Sequence, residues 1–238
     1  MLDTNFPRII GDAGNVDSYD VPARTHLVSG AGSMDIVKNG QPSKHLIDAF
    51  CTAARQLEKD GAFAIVSTCG FLITIQDIIS KAVDIPVMVS ALSLYPTIMS
   101  ELNDGSIGIL TASRKDLGDT LLKAAAIDPT KVRIAGMEEC AVFSDAILQP
   151  KEKQLTEINI VEIERYVVKQ AHDLLEQDPD ISAFLLECGN LPPYAQAISL
   201  ATERHVYSIL DGAKHLTKLA SVKRHSETHS KHEIQSTV

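Results

Sequence analysis

Ala62-Phe63-Ala64-Ile65-Val66-Ser67-Thr68-Cys69-Gly70-Phe71-Leu72 is echoed half a chain later by Ala183-Phe184-Leu185-Leu186-Glu187-Cys188-Gly189-Asn190-Leu191. Each copy is a short apolar run, then Cys-Gly-x-Leu, then residues of helical periodicity. Short apolar runs alternating with longer amphipathic ones continue along the chain, which is the pattern of βα units around a mainly parallel sheet. Strands are expected at Arg24–Val28, Phe63–Thr68, Pro86–Ser90, Ile107–Thr111, Val132–Ala135, Ala183–Glu187 and Val206–Leu210. Helices are expected at Lys44–Lys59, Phe71–Ala82, Leu92–Leu102, Lys115–Ala126, Glu157–Gln177, Pro193–Ala201 and Ala213–Ala220. Ser113 reads as the N-cap of the fourth helix. In the fifth, Ile160, Ile163, Val167, Ala171 and Leu174 trace one apolar stripe.

The echo puts one cysteine at the C-terminal end of a strand in each half, the place where open α/β sheets bind ligands. A sulfur just before a helix start meets unpaired N–H groups, which favour thiolate and can hold a carboxylate. The glycine after each cysteine permits close backbone approach. Two thiols in matched settings therefore read as one paired site for a small anionic substrate. Cys51, among Ala49, Phe50 and Ala53, reads as core, and Cys140 as a loop cysteine. Gly30-Ala31-Gly32 lacks the context of a dinucleotide fingerprint and reads as a turn. No phosphate loop, His-Glu-x-x-His helix or Gly-x-Ser-x-Gly elbow occurs, so phosphoryl transfer, zinc hydrolysis and serine hydrolysis have no sequence support.

The 238 residues suit one large domain or two small ones. With 45% hydrophobic and 22% charged residues the composition is that of a folded globular chain. A formal charge of -9 without any Lys/Arg cluster argues against nucleic acid. No apolar run approaches the ~20 residues of a membrane span, and the start lacks the pattern of a signal peptide, so no membrane association and a cytoplasmic location are expected. Residues 221–238 read as a flexible tail; His225, His229 and His232 there lack a fixed carboxylate or Cys partner, so no metal site is expected.

The two strand-end cysteines, the echo and Leu186-Glu187-Cys188-Gly189-Asn190-Leu191-Pro192-Pro193-Tyr194 resemble the aspartate/glutamate/hydantoin racemase superfamily. The opening Met1-Leu2-Asp3-Thr4-Asn5-Phe6-Pro7-Arg8, with Gly11-Asp12 and Gly14-Asn15 behind it, is similar to one subgroup of it. The resemblance implies an α/β fold of two pseudo-symmetric Rossmann-like lobes with the active site in the cleft between them. The first lobe would hold residues 1–92 and 206–220 with Cys69, the second 93–205 with Cys188. It implies that one thiolate removes a proton from the substrate's α-carbon while the other thiol delivers one to the opposite face, with no pyridoxal phosphate or metal. Gly70, Phe71, Thr111, Ser113, Gly189 and Asn190 become substrate-binding residues, and a homodimer is the expected assembly. Gly70-Phe71 and Gly189-Asn190 replace the Thr and His followers of glutamate racemases, while Cys-Gly-Phe resembles the lyase branch. A racemase or epimerase of an amino acid or related acid ranks first, a lyase, decarboxylase or isomerase of a small carboxylate second, and a non-catalytic binding protein or thiol redox sensor third.

Overall fold

A computed structural model describes residues 1–102 and 105–219. The main sheet is parallel, in the order β4-β3-β5-β6, built from β3 (Ser106–Thr111), β4 (Val132–Gly136), β5 (Ile181–Leu186) and β6 (His205–Tyr207). Every residue of β3 is buried, as are all of β5 but Ser182, because helices cover both faces and a continuous apolar run satisfies both. A second, two-stranded parallel sheet pairs β1 (Ile65–Val66) with β2 (Val87–Met88). Parallel sheets flanked by helices are the fold class expected from the echo.

Local chemistry sets the helix limits. Helix α1 (Lys44–Lys59) starts where Ser43 Oγ accepts from the Leu46 amide at 3.3 Å. Helix α2 (Ile160–Gln177) starts later than expected because Asn159 caps it, accepting from the Glu162 amide at 3.2 Å. Its stripe of Ile163, Val167, Ala171 and Leu174 is buried, whereas Ile160, in the first turn, is 42% exposed. Among the described residues no helix is long and apolar enough to cross a membrane.

Several expected elements differ. Arg24–Val28 forms no strand: Arg24, Thr25 and Leu27 are exposed, and its ladder is limited to bonds from the Met1 amine to His26 O and from the Val28 amide to Met1 O. Strand β6 joins the main sheet beside β5, with Ala183 opposite His205, rather than returning to the β1–β2 side. The helical stretch 209–219 that follows does lie against the small sheet, where Gly212 abuts Met88 and Lys214 reaches Asp20. Ser113 caps no helix: its hydroxyl donates to Asp116 at 2.6 Å, and the next helix, Asp119–Ala124, starts after Gly118. Cys140 stands at the N-cap of an unanticipated helix, Ala141–Ile147, and Gly32 at that of Ser33–Ile36. Gly30, at φ 75°, turns as its sequence suggests. The tail 221–238 and its histidines lie outside the described residues.

Candidate active site

Cys69 and Cys188 come face to face. They form an isolated antiparallel bridge, a backbone pairing between the loop that leaves the small sheet and the loop that leaves β5. Both glycines are required by this approach. A Cβ on Gly189 would lie 2.5 Å from the Thr68 carbonyl oxygen, and one on Gly70 would collide with the backbone and carboxylate of Glu187. Ser67 shapes the first loop, accepting from the Cys69 amide at 3.0 Å.

Both cysteines line one small cavity together with Leu2, Phe6, Arg8, Phe71, Glu187 and Asn190. Its volume is about 20 Å³, room for about one water molecule. The cavity as it stands is a closed site. Of the residues expected to bind substrate, Phe71 and Asn190 line it, whereas Gly70 and Gly189 do not and press instead on the opposite loop. Thr111 stands one layer behind, donating to Glu187 Oε2 at 2.7 Å, and Ser113 is turned away toward Asp116. Cys51 and Cys140 are buried elsewhere, on α1 and at the start of the helix Ala141–Ile147.

Burial sets the thiol chemistry. The Phe71 and Asn190 amides favour the respective thiolates, as the strand-end position suggests, but desolvation outweighs them. It pushes Cys69 up to about 12 and Cys188 well above the usual thiol range, and the Glu187 carboxylate adds to both shifts. The closed cavity therefore holds two thiols. Glu187 is itself pushed up to about 7 by burial, despite the help of Thr111 and the Ala112 amide. Its Oε1 has no partner in hydrogen-bonding geometry, though the Gly70 and Phe71 amides point toward the carboxylate.

Sequence reasoning assigned no role to three charged residues here. Arg8 is the cation of the cavity wall: its guanidinium lies 4.3 Å from the Phe6 ring centroid and donates to Thr4 Oγ1 at 3.1 Å and Asp12 Oδ1 at 3.0 Å. Buried Asp12 also accepts from the Gly14 amide at 2.6 Å and from Asn190 Nδ2 at 2.6 Å. The opening segment bridges both sides of the site. The Leu2 amide donates to Thr68 beside Cys69, and the Ala13 amide to the Gly189 carbonyl beside Cys188. For Glu187 a signal was present, since a carboxylate ending a continuous apolar strand needs a buried partner.

No family model matches the chain. It is similar to a dimethylsulfoniopropionate lyase of Durusdinium sp. clade D, 28% identical over 219 residues that cover 89% of this chain and 70% of that protein. It also matches dimethylsulfoniopropionate lyases of Emiliania huxleyi at 24% to 27% identity, spanning 40% to 65% of their length. Among solved structures, unliganded arylmalonate decarboxylase superposes with a TM-score of 0.58 at 17% identity, over 92% of this chain and 90% of that one. An aspartate racemase homologue from Pyrococcus horikoshii OT3 gives 0.51 at 17% identity, over 74% of each chain. At such identities the structural likeness is one of fold.

Proposed function

We propose that this chain, which has the fold of the aspartate/glutamate/hydantoin racemase superfamily, is a lyase that takes a proton from the carbon next to the carboxylate of a small substrate by means of a thiolate. The observation that carries the reading is the pairing of Cys69 and Cys188 on one closed cavity with the Arg8 guanidinium in its wall. The guanidinium matches a substrate carboxylate and opposes the charge that grows on it as the α-proton leaves. Burial is the largest cause that lifts both sulfurs above the ordinary thiol value, so a thiolate forms more readily while the cavity is open to water, and closure round the substrate then sets it beside the α-carbon.

The lyases among the relatives favour elimination over inversion. With dimethylsulfoniopropionate, the thiolate accepts the α-hydrogen as a proton, the C–H electron pair becomes the Cα–Cβ π bond, and the Cβ–S bond breaks with its pair leaving on dimethyl sulfide. Acrylate and a protonated thiol remain. Racemisation is the second reading, favoured by two thiols on facing loops, because inversion needs an acid and a base on opposite sides of one carbon.

Proton NMR in deuterium oxide separates these readings. The protein is incubated with dimethylsulfoniopropionate, D- and L-amino acids, hydantoins and malonates, with Cys69→Ala and Cys188→Ala as controls. The expected result is vinyl signals of acrylate with release of dimethyl sulfide. Loss of an α-proton signal without a new compound replaces the lyase by a racemase, and turnover that survives both substitutions removes the thiols from the mechanism.

A further inference from the structure

The two thiols differ in what surrounds them, and the difference has a direction. Asp12, already held by Arg8 and the Gly14 amide, offers only acceptor oxygens to Asn190, so the Asn190 amide nitrogen must face it. The Asn190 carbonyl oxygen is thereby turned toward Cys188, whose Sγ lies 3.4 Å away and can satisfy it only by donating a hydrogen. Cys69 has no such acceptor: its i+2 neighbour is Phe71, and the charges that favour its thiolate are the Arg8 guanidinium and the Met1 amine. The arrangement around Cys188 holds as a unit, because the Ala13 amide donates to the Gly189 carbonyl and Gly11 packs on Pro193.

We propose that Asp12 and Asn190 are positioning residues that keep the proton on Cys188 and so make Cys69 the base of the reaction, with Cys188 remaining a protonated hydrogen-bond donor on the opposite wall. The assignment rests on the thiol-dependent reading above and sharpens it: a site with one standing donor and one base suits one-way proton removal better than inversion in both directions. The ionisable groups facing Cys69 are Glu187, Arg8 and the Met1 amine; those facing Cys188 are Glu187, Cys69 and Asp12. Glu187 opposes ionisation of both sulfurs, so it does not create the difference.

The test is the order in which the two sulfurs ionise in the full chain, read by iodoacetamide alkylation across pH with peptide-resolved mass spectrometry, and it needs no substrate. The midpoint of each pH dependence is compared rather than the absolute rate, since both thiols are buried. Cys69 is expected to titrate below Cys188. Asn190→Ala removes the acceptor and is expected to lower the Cys188 midpoint by about one pH unit, roughly tenfold in thiolate population, with Cys69 unmoved. Should that variant fail to fold, Asp12→Asn frees the Asn190 amide to turn its N–H toward Cys188 and predicts the same shift. Cys188 titrating at or below Cys69, or a Cys188 midpoint indifferent to both substitutions, overturns the assignment. Failure of the function itself shows elsewhere, as absence of turnover with the thiol order intact.

Discussion

The two halves reach the cavity through the same four-residue pattern, Cys69-Gly70-Phe71-Leu72 and Cys188-Gly189-Asn190-Leu191, yet leave their sulfurs in different company. Each sulfur faces the amide two residues on, and each glycine presses against the opposite loop. Around Cys188, however, a polar chain runs Asn190–Asp12–Arg8, while Phe71 closes the Cys69 side as a buried ring. The repeated pattern supplies the geometry of approach; the residue after each glycine sets the polarity beside each sulfur, and the opening segment brings Arg8 and Asp12. Pseudo-symmetry of the backbone thus carries no symmetry of chemistry.

The comparison breaks most visibly through the sulfurs. Cys69→Ser is expected to lower turnover by about 10²–10⁴-fold, the usual worth of a general base, and Cys188→Ser by less. Equal losses in steady-state kinetics would restore a symmetric pair. Arg8→Met removes the cation between the two environments and is expected to raise KM about tenfold or more, while Arg8→Lys, keeping charge without the planar fork, recovers only part. A KM indifferent to Arg8→Met would leave the guanidinium as a brace for Asp12 alone.

Smaller effects probe the shared geometry. Gly189→Ala drives a Cβ against the Thr68 carbonyl, so the loops must part, at about 1–3 kcal/mol of stability readable as a lower urea midpoint. The smallest effect concerns Glu187, which serves neither end preferentially. Its folded-state pKa of about 7 lies above its ordinary value of 4.5, so the native state binds the proton more tightly and stability falls as pH rises from about 4.5 through 7. Glu187→Gln is expected to flatten that fall and to match or exceed the parent above pH 7, measured by urea unfolding at pH 5 and pH 8.

How much of this was legible in the sequence follows from where each signal lies along the chain. β3 and β5 were readable because fully buried strands are continuous apolar runs, and α1 and α2 because their apolar stripes are local. The encounter of Cys69 with Cys188 was foreshadowed by an echo, a relation between distant residues that happens to be written in identical letters. Arg8 and Asp12 had no such mark. Their pairing with each other, with Asn190 and with the cysteine loops is set by the crossing of the opening segment over both sides of the site, which no periodicity encodes. The partner of β6 was lost for a similar reason: three residues do not announce which sheet edge they will join.

A chamber with space for a single water molecule also has consequences for isotopes. A substrate enters it only once the walls have moved apart, and a hydrogen lifted after they close round that substrate has no bulk solvent to mix with until they separate again. Tritium or deuterium placed at the substrate's α-carbon should then return partly to that carbon whenever the leaving group is poor, and wash into the medium only at the rate of opening. The fraction retained would time the breathing of the protein rather than its chemistry.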